Sequence, residues 1–239
     1  YFTYYVESAS LSRFVEQVGL FATAAEVEAR SFGFVLLDTF GLVVTGDTDP
    51  SKVGFSLFNM TGNLVNIIGV LLAKPLAERF GKKVVFTTGL AGAALFQTGY
   101  LFIGPESVGT MFLLTFLGSL SYGPTIPLLW AMIADTADYS EWKHGRRATG
   151  FVYAGVVFAL KAGLGFGGAF LGLILSGYGY TPETARQPEV LNGIRLSVSL
   201  YSALPFALGA FCMLFYPIGK DLNLRIGREL AHRRAQTAG

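Results

Sequence analysis

The sequence predicts an all-α membrane protein: a helical bundle of about five transmembrane helices, preceded by the end of another. Three observations predict it. Of the 239 residues, 52% are hydrophobic and only 14% charged, whereas soluble domains run near a quarter charged. Thirty glycines and twenty-one phenylalanines point the same way, since membrane helices use glycine more freely than soluble ones. Five stretches also hold the roughly 20 mostly apolar residues needed to cross about 30 Å of hydrocarbon. They are Val53–Ala73, Val84–Ile103, Val108–Ala134, Ala148–Ser176 and Ile194–Ile218.

The elements follow in chain order. Residues 1–6 (YFTYYV) read as the end of a transmembrane helix that belongs to something longer. Residues 7–50 mingle Glu16, Glu26, Glu28 and Arg30 with Phe14, Leu20 and Phe21, which predicts an external insertion with short helices. Within it, Phe32–Val44 has only 13 residues and contains Asp38; it is too short to span and reads as interfacial or re-entrant. Residues 51–219 form the five-helix bundle, and 220–239 a cytoplasmic tail. The tail (KDLNLRIGRELAHRRAQ) fits two readings, a basic amphipathic helix on anionic headgroups or an ordinary solvated tail.

Orientation comes from the lysines and arginines, which gather on cytoplasmic loops. Twelve of the eighteen fall at one set of ends: Lys74, Arg79, Lys82 and Lys83; Lys143, Arg146 and Arg147; Lys220, Arg225, Arg228, Arg233 and Arg234. Five lie at the alternate ends. This predicts a multi-pass protein of the cell inner membrane with its C-terminus in the cytoplasm and Asp47–Pro50 outside. A net charge of +2 is too small to suggest nucleic acid. The single cysteine, Cys212, excludes a disulfide framework.

The last of the eighteen is Lys161, the only charge between Ala148 and Ser176. It lies some 13 residues from either end of its span, about 20 Å at 1.5 Å per residue, too far for its stem to reach water. A charge at mid-membrane costs about 2.5–3.5 kcal/mol on insertion scales and faces a bundle interior or a wet cavity. Two readings follow, a structural lysine paired to a neighbouring helix or one that lines a transport cavity. Gly163/Gly167 and Gly168/Gly172, each four apart, predict small surfaces for close helix packing. The letters GLGFGG satisfy a dinucleotide-binding pattern, but that pattern needs a preceding strand, and here it sits inside a span.

Ser119–Gly150 (SLSYGPTIPLLWAMIADTADYSEWKHGRRATG) is the other chemically rich stretch. Gly123, Pro124 and Pro127 predict a break in the helix, because proline lacks the amide donor and crowds the preceding turn. Trp130, just past the break, either lines a cavity or packs on lipid. Tyr153, eight residues before Lys161, falls on roughly the same helix face. Asp135, Asp138 and Glu141 are spaced three apart and so are neighbours on a helix, with Arg146 and Arg147 a turn or two on. These charges fit a solvated loop or a cluster that closes the cytoplasmic mouth. Exposed ion pairs are worth only about 0–1 kcal/mol each, which suits a gate that opens and closes readily.

The run ADTADYSEWKHGRRATG (Ala134–Gly150), followed by a helix with a central lysine, resembles the glycoside–pentoside–hexuronide:cation symporters of the major facilitator superfamily. Asp135, Asp138, Tyr139, Glu141 and Lys161 fall on that family's pattern. LAERFGKK (Leu76–Lys83) is similar to its short basic turn between two spans, and YFTYYV to the end of its seventh helix. The resemblance implies the C-terminal half of a transporter that carries a sugar or glycoside together with Na⁺ or H⁺. It assigns Lys161, with Tyr153 and Trp130, to substrate and cation coupling, and Asp135, Asp138, Glu141, Arg146 and Arg147 to the cytoplasmic gate. Its partners would be the substrate, the coupling cation, the lipid bilayer and an N-terminal half that holds the family's cation-binding carboxylates; no cofactor or metal is implied. Alternating access needs both halves, so the chain alone is expected not to transport. The alternative is an inactive remnant or a membrane scaffold. A membrane enzyme is not expected, since neither H-E-x-x-H nor G-x-S-x-G occurs.

Overall fold

In a computed structural model, residues 1, 3–18, 35, 38, 39 and 50–237 are described. The predicted insertion lies mostly outside them, including Asp47–Asp49 and most of Phe32–Val44. Among the described residues the architecture is helical, with five stretches long and apolar enough to cross a membrane. The helices are α1 (Ser8–Gln17), α2 (Pro50–Phe80), α3 (Lys82–Gly99), α4 (Val108–Tyr122), α5 (Thr125–His144), α6 (Thr149–Gly177), α7 (Pro188–Leu196), α8 (Ser202–Leu214) and α9 (Lys220–Thr237). A 3₁₀ turn (Tyr100–Phe102) follows α3, and a π-helical turn (Ser197–Tyr201) joins α7 to α8.

Several boundaries differ from the sequence expectation: the third span runs on past Ala134 to His144, and the last ends at Leu214 rather than Ile218. The first span runs on through Lys74, Glu78 and Arg79 to Phe80, so within LAERFGKK the turn is reduced to Gly81 and the residues on either side are helical. Lys, Glu and Arg propagate a helix well, and once clear of hydrocarbon they need no partner to stay wet. The reversal is made by Gly81 alone, at φ 89°, a conformation that only glycine adopts cheaply. The last span starts at Pro188, six residues before Ile194, because proline suits the first helical position. Near its middle, Pro205 has no amide to donate and crowds the carbonyl of Tyr201. The helix widens into its π turn at that point.

The predicted break in the third span is present. α4 ends at Tyr122 and α5 begins at Thr125. The Gly123 carbonyl, which Pro127 leaves without its amide, accepts from the Ile126 amide at 3.3 Å, and Thr125 Oγ1 donates to the neighbouring Tyr122 carbonyl at 2.6 Å. Here α2 crosses very closely. A Cβ on Gly69 would lie 2.9 Å from Gly123 Cα, so both positions require glycine.

Two apolar cores hold the bundle. At the basic end, Ala73, Val85, Phe86, Leu90, Leu128 and Met132 pack together from α2, α3 and α5. At the opposite end, α1 lays Leu11 and Val15 against Val53, Ile103 and Met111. Tyr5 adds a hydrogen bond to the Ile103 carbonyl at 3.0 Å. The Tyr1 carbonyl accepts from the Tyr5 amide at 2.8 Å, within a turn rather than a regular helix.

α6 stands apart. None of its 29 residues is buried, and it touches α5 toward one end and α7 and the π turn toward the other. The close packing expected of Gly163/Gly167 and Gly168/Gly172 is not made among the described residues. Nothing lies within 4 Å of where a Cβ would sit on any of these four glycines.

Candidate functional site

The basic ends of the spans come together through α9. Its first residue, Lys220, donates to the carbonyls of Glu78 and Arg79 at 2.5 and 3.2 Å and so caps the last turn of α2. Ile226 and Leu230 are buried, while α9 packs against α5. The tail is therefore a docked helix, neither a free solvated segment nor one held by lipid alone.

Along this seam the carboxylates of α5 face cations from α3, α9 and the residues after α5. Asp135 accepts from Lys82 Nζ at 2.8 and 2.7 Å and from Asn223 Nδ2 at 3.2 Å. Asp138 and Glu141 are shared between two arginines. Arg147 lies 3.1 Å from Asp138 and 3.8 Å from Glu141; Arg234 lies 2.7 Å from Glu141 and 3.9 Å from Asp138. Beside them Trp142 Nε1 donates to Glu229 at 2.6 Å, and Arg225 Nε donates to the same carboxylate at 2.7 Å. The hydrogen bond from Arg225, then that from Trp142, lowers the Glu229 pKa. Glu141, by hydrogen bond and by charge, raises that of Arg234. Most of these side chains are partly exposed, which keeps each pair weak. Gly145, at φ 67°, ends α5 by donating its amide to the Glu141 carbonyl at 2.9 Å.

The cluster thus differs from the expected one in membership. Asp138, Glu141 and Arg147 meet; Asp135 turns away to Lys82. Arg146 contributes its carbonyl, which accepts from Ser140 Oγ at 3.0 Å. Arg234 and Glu229, which sequence reasoning missed, complete it. Their partners are 93 and 87 residues away, and only the tail's Arg/Glu pattern hinted at a helix able to deliver them.

On α6, Lys161 is exposed near the middle of the helix, and among the described residues it has no ion pair or hydrogen bond. Eight residues earlier, Tyr153 stacks on Trp130 of α5 with ring centroids 6.4 Å apart. The two aromatic residues singled out by the sequence therefore form one surface between α5 and α6. Lys161 lies two turns along α6 from it.

Sequence reasoning also missed a polar cleft between the two cores. It has a volume of about 310 Å³ and is lined by α2, α3, α4, α8 and the π turn. Asn59, Asn63 and Asn66 face it from α2, and Gln97 from α3. The asparagines' spacing of four and three was a legible signal of one polar helix face.

A model of the family described as MFS/sugar transport protein matches residues 33–220. Among curated proteins, the chain is 34% identical over 164 residues to the inner membrane symporter YicJ of Escherichia coli strain K12, covering 69% of this chain and 34% of that protein. It is 35% identical over 177 residues to the isoprimeverose transporter of Lactiplantibacillus pentosus, covering 72% and 36%. It is 34% identical over 185 residues to the putative glycoside/cation symporter YagG of E. coli strain K12, covering 75% and 39%. The aligned part spans a little over a third of the length of each relative.

Proposed function

We propose that this chain, which belongs to the MFS/sugar transport protein family, is the C-terminal half of a secondary transporter that carries a sugar or glycoside in symport with Na⁺ or H⁺. A transport role in a multi-pass membrane protein follows from the family; the cargo class, the coupling ion and the division into halves are our reading. The observation that carries it is the family match across the spanning helices, in a chain whose aligned part is a little over a third of its relatives' length. The bare face of α6 supports it. A spanning helix with no buried residue and a mid-depth lysine is stable where other helices or a wet cavity complete it.

In this reading, substrate and cation bind between two halves and shift an outward–inward equilibrium. Lys161 couples the two binding events across the Trp130/Tyr153 surface. Asp138, Glu141 and Arg147, with Asp135 held by Lys82, bias the cytoplasmic mouth. Pairs of this strength suit that task, since their breakage is matched by modest binding energies.

The test is sugar uptake into vesicles that contain this chain together with the N-terminal half of a family carrier. Uptake is expected only with both halves and a Na⁺ or H⁺ gradient. Lys161→Ala is expected to leave assembly intact and abolish the gradient dependence. No uptake of any glycoside by assembled halves overturns the reading.

A further inference from the structure

We infer that the basic corner where the α2–α3 and α8–α9 reversals meet binds the phosphate of one anionic phospholipid, whose acyl chains lie on the exposed apolar residues beside it. The inference requires only that the chain spans a membrane, and it is independent of what the chain carries.

At this end of the bundle most carboxylates are already matched. Asp135 is held by Lys82, Asp138 and Glu141 by Arg147 and Arg234, and Glu229 by Arg225. Three cations at one corner have no carboxylate partner among the described residues. They are Arg79 at the end of α2, Lys83 at the start of α3 and Lys220 at the start of α9. The two lysines are fixed by backbone instead. Lys83 Nζ donates to the carbonyls of Leu214 and Tyr216 at 3.1 and 2.6 Å, as Lys220 Nζ does to those of Glu78 and Arg79. A carbonyl offers a dipole and no charge, so both lysines stay unneutralised. An ammonium has three donors, which leaves each lysine one N–H to spare. Arg79 donates to no described residue. Its guanidinium lies 5.2 Å from the ring centre of its neighbour Phe80, with its N–H fork open.

The two reversals are held close together. A Cβ on Gly81 would lie 3.1 Å from Lys220 Cβ, and Lys83 and Lys220 line one hollow of about 240 Å³. Lys82 and Asp135 are a matched pair on its wall. The remaining carboxylate of the lining, Glu78, is 68% exposed and lies 4.0 Å from Lys74 on its own helix. Asp221, next along α9, lines a separate hollow with Arg225 and Arg228. With Arg79 beside the hollow, four cations stand against two carboxylates, a surplus of two. Their positions are set before any ligand arrives, which lowers the cost of binding one.

The surroundings decide between a lipid and a soluble anion. Phe80, Val84, Leu214 and Phe215 flank these cations in the chain and are half to three-quarters exposed. A soluble phosphate would leave them bare, whereas the acyl chains of a phospholipid cover them. Basic pockets between spanning helices hold anionic headgroups in this way. A zwitterionic headgroup brings its own cation, which would meet the positive surplus.

The experiment counts lipids retained by the detergent-purified chain in native mass spectrometry. The chain is titrated with palmitoyl-oleoyl phosphatidylglycerol, with the matching phosphatidylcholine, and with inorganic phosphate as competitor. One phosphatidylglycerol is expected to bind about tenfold or more tightly than phosphatidylcholine. Each cation near such a surface contributes about fivefold. Arg79→Ala and Lys83→Ala are each expected to weaken phosphatidylglycerol by about that factor, and Lys83→Arg to retain most of the affinity. Lys143→Ala, which removes a cation lying on Tyr139 at the same end, is expected to leave binding unchanged. Arg79 is exposed, so its variant keeps the test open should loss of the Lys83 contacts disturb folding. Equal retention of the two lipids, or unaltered affinity in Arg79→Ala, overturns the proposal. So does an equal loss in Lys143→Ala, which would reveal a diffuse basic rim. Displacement of phosphatidylglycerol by an equal concentration of inorganic phosphate overturns it in favour of a soluble anion.

Discussion

α3 and α6 are both apolar, glycine-bearing spans, yet the structure uses their glycines in opposite ways. A Cβ on Gly89 of α3 would lie 2.7 Å from the Ser121 carbonyl oxygen, and one on Gly99 would lie 2.8 Å from Leu114. On α6 a Cβ at Gly155, Gly163, Gly165, Gly167, Gly168 or Gly172 meets nothing within 4 Å, and Phe151 and Leu164 are more than four-fifths exposed. Composition does not separate two such helices, but their surroundings do. α3 has its neighbours inside this chain, with α8 and α4 on it most extensively. α6 carries a similar small-residue surface that no described residue covers.

The contrast is broken most directly by adding bulk to each helix. Gly89→Val forces a branched side chain into the Ser121 backbone and is expected to cost about 3 kcal/mol, the upper part of the range for overpacking. Gly163→Val or Gly167→Val is expected to change stability by about 0.5 kcal/mol or less, as at an open surface, while abolishing uptake in the paired halves. SDS-unfolding midpoints measure the first effect, and comparable losses on both helices would sink the contrast.

The charged end sharpens it next. Asp135 is only 13% exposed against 33% for Lys82. Asp135→Ala is therefore expected to cost about 1–2 kcal/mol by leaving a part-buried ammonium without its acceptor. Asp135→Asn should recover part of that. Arg147 and Arg234 share Asp138 and Glu141, so either single alanine change should loosen α9 only slightly and the pair more than their sum. Hydrogen exchange of the α9 amides reads this, and strict additivity would show that the two arginines act independently.

The smallest effect is one of pH. Arg225, on α9 itself, and Trp142, on α5, hold the Glu229 pKa below its usual value, and undocking loses the Trp142 bond, so protons bind the undocked tail more readily. The contribution of Glu229 is then complete above about pH 4.3, the ordinary glutamate range, and is lost as pH falls through the depressed value. Exchange of α9 should quicken on acidification below pH 4.3, and Glu229→Gln should flatten that response.

Much of the fold was legible because hydrocarbon thickness imposes a length and a composition on each span. The break at Gly123–Pro124 was legible because proline's missing amide is a local fact. The meeting of Lys82 with Asp135, and of Arg234 with Glu141, joins residues 53 and 93 apart. Charge counting placed these residues at one end of the bundle but could not pair them. Arg147 was assigned by proximity along the chain, and Arg146, equally near, was assigned with it although it contributes only its carbonyl to Ser140. Asn59, Asn63 and Asn66 carried a readable spacing that went unused beneath a high mean hydropathy. Pro205 marked a local disturbance of the last span, but not that the helix would answer it with a π turn.

The contact between Gly69 and Gly123 has one more consequence. With no side chain between the two backbones, α2 and the α4–α5 junction are held at one short separation, and α2 stays close to α4 two turns earlier, where Gly62 faces Thr115 and Ser119. Gly62, Thr115 and Ser119 also line the asparagine-bearing cleft. A methyl group at Gly69 or Gly123 would therefore widen that cleft from outside it.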